Sequence, residues 1–393
     1  MGEDPSSPCH YMKTIYLDNA ATTRIKPEIL AELSQVIGEC FGNPSSVHAE
    51  GRKARKIIED SRRSVSELLG CKPQEIYFTS GGSESDTWAL YASAHSLKQN
   101  KHTLITSQTE HKAVLSCASR LEKEGFNVIY LPVDNNGVVS VESLYNALSD
   151  DVFLVSIMSA NNETGVMQDI PALSKAVHET GALFHTDAVQ GIYDIKYNLA
   201  ESDIDMLSMS THKLHGLKGC GALYIKQGVI LPSLIYGGAQ EQGRRAGTEN
   251  LPGIFSLGCA CRIIMRDRDA IIAKKQQLTK LFEAEISSQI KDITINSASV
   301  RRAAGISNIS FHGVDGEALM LNLDLRGVCA STGSACLSGS VDPSHVLMAM
   351  GIEKTTAIGS VRFSFSDDNT QEETLIAVDI IRDTVNKLRN MHH

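Results

Sequence analysis

Aromatic residues are scarce in this chain of 393 residues: they make up 5% of it, with a single tryptophan. Basic residues are in deficit too, 37 Lys and Arg against 46 Asp and Glu, for a formal net charge of −9. A nucleic-acid binder carries a basic footprint, so direct nucleic-acid binding is excluded as the main role. No apolar run approaches the roughly 20 residues that cross a bilayer, and the opening Met-Gly-Glu-Asp-Pro-Ser lacks the basic and apolar regions of a secretory signal. No membrane association is therefore expected. Cys-x-x-C pairs are missing, and the nine cysteines are an odd number in a long chain. Disulfide pairing is not expected at this size, and a reducing cytoplasm is the expected location. Most of the thiols should be small buried hydrophobes. Internal repeats and low-complexity blocks are absent as well.

Apolar residues, at 42%, suffice for a sizeable core. From Ile76 to about Lys226, short β-branched runs alternate with helix-like segments. The runs are Glu75–Thr79, Thr103–Thr106, Val128–Leu131, Val152–Ile157, Ala182–His185 and Ile204–Met209. Such alternation implies βαβ units and a largely parallel sheet. A charged helical stretch from about Leu251 reads as a solvated helix leading out of this domain. Residues 291–390 mix strands and helices, and the helix over 371–390 offers Leu375, Ile376, Val378, Ile380 and Val385 for a buried face. The expected division is a large α/β domain over 25–258 and a smaller α+β domain formed by 13–24 and 259–393.

Open parallel sheets bind ligands beyond the carboxyl ends of their strands. After the first run comes Ser80-Gly81-Gly82-Ser83, a Gly-rich turn opening a helix, which offers free N–H groups to a phosphate. It is neither a P-loop nor a dinucleotide fingerprint. The later strand ends deliver Thr109-Glu110-His111, Asn161-Asn162-Glu163, Asp187 with Gln190, and Ser210-Thr211-His212-Lys213. Each of these alone is more often a cap, a structural histidine or a surface lysine. Their convergence on one sheet edge is the informative feature.

The set is chemically coherent. A lysine held among polar groups can condense with an aldehyde cofactor. Pyridoxal phosphate then needs an acid for its ring nitrogen, a group at its phenolic oxygen and a phosphate cradle, which Asp187, Gln190 and the Gly82–Ser83 turn can supply. A metal is not expected: His185-x-Asp187 and His212-x-x-His215 lack third and fourth ligands at useful spacing. A second Gly- and Arg-rich segment, Gly243-Arg244-Arg245-Ala246-Gly247-Thr248, is another anion-binding candidate or a flexible loop. Residues 329–340 are small and polar apart from Leu337. A loop of that composition has little to bury, so Cys336 is expected to be mobile and exposed, and Cys329 to lie in the core at the end of a strand.

Taken together, the motifs resemble those of cysteine desulfurases. They are Tyr-Leu-Asp-Asn-Ala-Ala-Thr-Thr (16–23), Gly-Asn-Pro-Ser-Ser-Val-His (42–48), Thr-Glu-His-Lys (109–112), Ala-Asn-Asn-Glu-Thr-Gly (160–165), His-Thr-Asp-Ala-Val-Gln (185–190), Ser-Thr-His-Lys (210–213), Arg-Ala-Gly-Thr-Glu-Asn (245–250) and Ser-Thr-Gly-Ser-Ala-Cys (331–336). They occur in order from about Lys13 to Lys387, and the long Cys loop (about 329–341) is similar to the group I branch. The resemblance implies a homodimeric fold-type I pyridoxal 5'-phosphate enzyme of aminotransferase class V.

Carried over by position, the resemblance gives Lys213 the cofactor aldehyde and Asp187 the ring nitrogen. His111 stacks on the ring and moves protons, and Asn162 and Gln190 flank the ring oxygen. Gly82, Ser83, Ser210 and His212 hold the phosphate with Thr248 of the other subunit. Arg362 grips the substrate carboxylate, with Asn162 beside it, and Cys336 is the nucleophile. The implied reaction converts L-cysteine to L-alanine and leaves a persulfide on Cys336 for an acceptor protein of iron–sulfur assembly or tRNA thiolation. A selenocysteine lyase, a transaminase or decarboxylase on the same scaffold, and a catalytically silent sulfur carrier are the alternatives. Two departures stand out: Phe-Ser-Phe-Ser-Asp-Asp-Asn follows Arg362 where the family has Gly-Arg after the Ser, and no scaffold-docking tail is recognisable after Leu388.

Overall fold

The computed structural model describes residues 14–96, 101–333 and 342–391. A short strand, β1 (Ile15–Tyr16), precedes helices α1 (Pro27–Glu39) and α2 (Ala49–Leu69). The alternating region follows as β2 (Ile76–Thr79), α3 (Gly82–Ala94), β3 (Thr103–Ser107), α4 (Lys112–Lys123), β4 (Asn127–Leu131) and α5 (Val141–Ala147). It continues with β5 (Val152–Ser156), α6 (Ile170–His178), β6 (Leu183–Asp187), β7 (Met206–Ser210) and β8 (Gly221–Ile225). All the expected runs are strands, with ends shifted by a residue or two at most.

The strands form one seven-stranded sheet in the order β2-β8-β7-β6-β5-β3-β4. Only β8 runs against its neighbours, antiparallel to both β2 and β7. It was not foreseen, because Gly-Ala-Leu-Tyr-Ile is buried at every position and shows no alternation. Burial on both faces follows the period of two along the strands. Ile76, Phe78, Ile105, Val155, Leu207 and Tyr224 enter one core. Their neighbours Tyr77, Leu104, Leu154, Met206 and Leu223 enter the other, around Trp88. Each large side chain buried in this way stabilises the fold by about 1.5–3 kcal/mol. The one tryptophan also satisfies its indole N–H on the carbonyl of Pro232, at 2.8 Å.

Helix α7 (Leu251–Gln289) is not the solvated connector its charge suggested. Its charged residues Arg262, Arg266 and Asp267 turn outward, while Ile254, Leu257, Cys261 and Ile264 join the first core. It lies so close to α2 that a Cβ on Gly258 would stand 2.8 Å from the Ser61 Cα. Its later residues Leu278, Phe282 and Ile286 belong to a second core, so one helix serves both.

The second core is completed by β9 (Ile293–Ile295), β10 (Ile306–Phe311), α8 (Gly316–Asp324), β11 (Val328–Cys329), β12 (Ser360–Ser364) and α11 (Gln371–Asn390), while α9 (His345–Ala349) and α10 (Lys354–Ile358) bury Val346, Leu347 and Ala357 in a small cluster of their own with Met350. Strands β12, β10 and β9 make an antiparallel sheet. β1 pairs in parallel with β11, which carries Ile15 and Leu17 into this core. Helix α11 starts at a capping box between Thr370 and Glu373. Its buried stripe is Thr374, Ala377, Val378, Ile381, Val385 and Leu388, whereas Leu375 and Ile376 face solvent, against expectation. A 3.6-residue period admits either stripe, and the packing on α7 selects one. Among the described residues no helix is long and apolar enough to cross a membrane.

Candidate active site

The carboxyl ends of β2, β3, β5, β6 and β7 surround a cleft of about 360 Å³. Its walls include Gly82, Ser83, Asp86, His111, Asn162, Asp187, Gln190, Ser210, His212, Lys213 and Arg362. Residues expected from separate strand ends therefore meet in one place. Thr248 does not line this cleft; it is exposed on the segment before α7. Cys336 lies outside the described residues.

Lys213 follows β7 on a single 3₁₀ turn, Thr211–Lys213. Its Nζ donates to the carbonyls of Ala20 at 2.5 Å and Ala21 at 2.7 Å. Burial, and next the Arg362 charge, bring the amine down from 10.5 to about 8, against the pull of Asp187 and Asp18. Such an amine is available as a nucleophile and base near neutrality. Asp187 ends β6 and is buried, with Oδ1 accepting from the Val189 N–H at 2.9 Å. Burial pushes its carboxyl up, opposed by that hydrogen bond and by the charges of His111 and Lys213. His111 caps α4, its Nδ1 accepting from Ala113 N–H at 3.2 Å. Its ring is exposed to the cleft. Desolvation by the surrounding walls lowers its basicity; Asp187 opposes this and Lys213 adds to it. Gln190 donates from Nε2 to Ala20 O at 2.8 Å.

The turn before α3 is shaped for an anion. Gly81 has φ +152°, a conformation open to glycine. A Cβ on Gly82 would stand 2.8 Å from Val189 Cγ2. Glu84 in the first turn would repel a phosphate, but Arg245 neutralises it through Nε–Oε1 at 2.8 Å and Nη2–Oε2 at 3.1 Å. The positive helix end is thus left to a ligand. Ser210 and His212 complete that side; His212 is brought down to about 4 by burial and then by Lys213, so it is neutral.

On the opposite side, Arg362 of β12 donates from Nη2 to Asp18 Oδ1 at 2.7 Å and from Nη1 to Asn162 O at 2.9 Å. Its Nε is buried without a partner among the described residues. Asp18 was inside a matched motif but had been given no role. Asp86 was missed altogether, although it sits one helical turn beyond Gly82–Ser83 on the same face of α3. It is buried, with no hydrogen bond to Oδ1, and burial followed by the nearby Asp187 pushes its carboxyl well up. Ligand atoms of Asp86, His111 and Asp187 lie within 4.8 Å of one another, a grouping that could also hold a metal ion. The spacings first weighed for metal are not assembled: His185 is sealed between Ser156 and Ser208, and His215 turns to Arg24 O.

Seven cysteines fall in the described residues, all free. Burial pushes the thiols of Cys71, Cys117 and Cys220 up to about 12 and Cys259 to about 11. Such thiols are poor nucleophiles at neutral pH. Cys329 ends β11 as expected, but it is half-buried rather than in the core.

An amine, a buried acid, a Gly-rich helix start and an arginine around one cleft fit pyridoxal phosphate and an amino acid. Residues 15–375 match the family model described as aminotransferase class-V. The chain is 43% identical over 381 residues to "Cysteine desulfurase IscS" of Clostridium botulinum, covering 96% of each chain. A solved "NIFS-LIKE PROTEIN" superposes with TM-score 0.90 at 36% identity, over 95% of this chain and 100% of that one. A structure described as "SspA in complex with cysteine" matches with TM-score 0.80 at 35% identity, over 89% of this chain and 98% of that one. Pyridoxal 5'-phosphate is the cofactor of this family. The chain belongs to the aminotransferase class-V family and, within it, to the cysteine desulfurases.

Proposed function

We propose that this chain converts L-cysteine to L-alanine and carries the sulfur as a persulfide on Cys336. The observation that carries the reading is the shared cleft of Lys213, Asp187 and Arg362, with the lysine amine brought down to about 8.

Pyridoxal phosphate, when bound, supplies an electron sink that makes the substrate Cα–H acidic. Asp187 would hold a proton at its ring nitrogen, and Lys213 would hold its aldehyde carbon. Asn162 and Gln190 would flank its phenolic oxygen. Gly82, Ser83, Ser210 and His212 would hold its phosphate, joined by Thr248 of a second copy. Arg362 binds the substrate carboxylate, oriented by Asp18. Lys213, freed once the substrate amine has taken its place at the aldehyde carbon and uncharged in an appreciable fraction at neutral pH, takes the Cα proton. The Cys336 thiolate attacks the substrate sulfur. An S–S bond forms, the Cβ–S bond breaks, and its electron pair stays with the carbon fragment. That fragment is protonated, with His111 as the proton carrier, and leaves as alanine. L-cysteine plus enzyme thiol gives L-alanine plus enzyme persulfide, with no outside oxidant.

The reading includes a homodimer, a cytoplasmic location, an acceptor protein of iron–sulfur assembly or tRNA thiolation, and the division into 25–258 and 13–24 with 259–393. The relative solved with cysteine supports L-cysteine as substrate. Loaded enzyme should release alanine in a one-to-one ratio with sulfur. Mass spectrometry should find one added sulfur on the peptide bearing Cys336, and borohydride should fix the cofactor to Lys213. A keto acid or an amine as product would point instead to a transaminase or a decarboxylase. A faster reaction on selenocysteine would make the protein a selenocysteine lyase. A chain that never binds the cofactor would be a silent carrier.

A further inference from the structure

Glu163 has no part in that mechanism, yet it is 4% exposed and lies beside Asn162 in the site. It occupies a tight turn after β5. There the Asn161 side chain accepts from the N–H groups of Glu163 and Thr164, both at 2.9 Å, and donates to Thr109 O at 2.9 Å. The turn is thereby tied to the segment that carries His111.

The carboxylate meets the chain at both described ends of the segment that contains Cys336. At one end, Ser344 caps α9: its Oγ accepts from Val346 N at 3.1 Å and Leu347 N at 3.3 Å. With both lone pairs engaged, its single proton goes to Glu163 Oε2, at 2.5 Å. At the other end, a Cβ built on Gly333 would stand 2.0 Å from Glu163 Oε2 and 2.9 Å from Ser344 Cβ. A side chain there would have to displace the carboxylate, which fills the space. Both ends are also registered on the site itself. Ser331 pairs with the Arg362 backbone at 2.7 and 3.1 Å, and His345 Nε2 lies 3.0 Å from Glu110 O. Burial pushes the Glu163 carboxyl up, offset by the Ser344 bond and the charges of His345, Arg362 and Lys112.

We propose that Glu163 is a positioning residue for sulfur transfer, its carboxylate bonded to Ser344 and packed against Gly333 beside the wall that bears Asn162 and Arg362. The inference rests on the reading that Cys336 takes the sulfur. Cys336 follows Gly333 by three residues in the sequence. A displaced anchor displaces the reach of the thiol, and misplacement by about 1 Å can cost roughly a hundredfold in rate.

The test compares E163A, G333A and the double variant, loaded with pyridoxal phosphate, in two measurements. One is the L-cysteine concentration that half-saturates the change in the visible band. The other is the single-turnover rate of persulfide formation on Cys336, followed by mass spectrometry. Each single variant should slow persulfide formation by roughly ten- to a hundredfold, with half-saturation moved less than about twofold. The double variant should be no slower than the worse single one, because both changes break the same contact. E163Q, which keeps an acceptor oxygen for Ser344, should recover most of the rate. S344A, which deletes only the donated proton, should give the same split more weakly and replaces E163A if that variant does not fold. Wild-type persulfide rates in E163A and S344A, losses that multiply in the double variant, or a parallel loss of L-cysteine binding would overturn the proposal. Absence of persulfide on Cys336 in the wild-type enzyme would instead remove the reading on which it rests.

Discussion

The guanidinium of Arg362 closes on the carboxylate of Asp18, with Nη2 and Oδ1 2.7 Å apart and both side chains largely buried. The pair lies across the cleft from the Lys213 amine and acts on it with opposite signs: Arg362 lowers its basicity and Asp18 raises it.

This arrangement fixes a pH dependence for cofactor capture. Only the neutral amine condenses with an aldehyde, so capture by the cofactor-free protein should rise with pH about a midpoint near 8 rather than 10.5. R362Q removes the positive neighbour and should move the midpoint up; D18N removes the negative one and should move it down. Growth of the visible band after adding pyridoxal phosphate, measured from pH 6 to 10, reads both, and a midpoint insensitive to either change would contradict the assignment.

The thiol assignment separates from the cofactor assignment. C336A should keep cofactor colour and the spectral response to L-cysteine while losing sulfide release almost wholly, by on the order of 10³-fold or more. The other thiols with raised values offer no substitute, since burial holds them protonated. Alanine and sulfide at normal rates in C336A would disprove the role.

Glu110 gives the fold a pH signature. It is fully buried, with Oε1 accepting from Met158 N–H and Ser107 Oγ and Oε2 unpartnered, and burial pushes its carboxyl up to about 8. A carboxyl whose folded value is raised contributes stability that is complete below its unfolded value and is lost as pH rises toward its folded one. Stability should therefore fall between about 4.5 and about 8. E110Q mimics the protonated form, so it should match the wild type near pH 5 and melt about 2–4 °C higher near pH 8. Identical slopes of melting temperature against pH in the two proteins would refute this.

The second core should depend on Phe282, which is fully buried with its ring 4.9 Å from that of Phe363 and 5.3 Å from that of Phe365. F282A leaves a cavity and should cost about 3–5 kcal/mol, seen as a lower urea midpoint. A loss below about 1 kcal/mol would mean that the site collapses freely around the cavity.

Much of the site was legible because it is local. Asp187 ends its strand, His111, Asn162 and Lys213 each follow theirs within a few residues, and a parallel sheet puts such ends on one edge. Asp18 and Asp86 stayed hidden for different reasons. Asp18 acquires its role from an arginine 344 positions away. Asp86 looks like any polar residue on a helix until the sheet brings Asp187 beside it. β8 escaped because a strand buried on both faces has no alternation to show.

By itself, the order of residues determined the strands, the Gly-rich turn and the polar groups at the strand ends, since these follow from steric and hydrogen-bonding preferences within a few neighbours. Only the tertiary structure decided which carboxyls burial pushes up, which stripe of α11 is buried, and which side chain fills the space beside Gly333. Those outcomes depend on desolvation and on contacts between segments far apart in the chain, and short-range spacing carries no record of either.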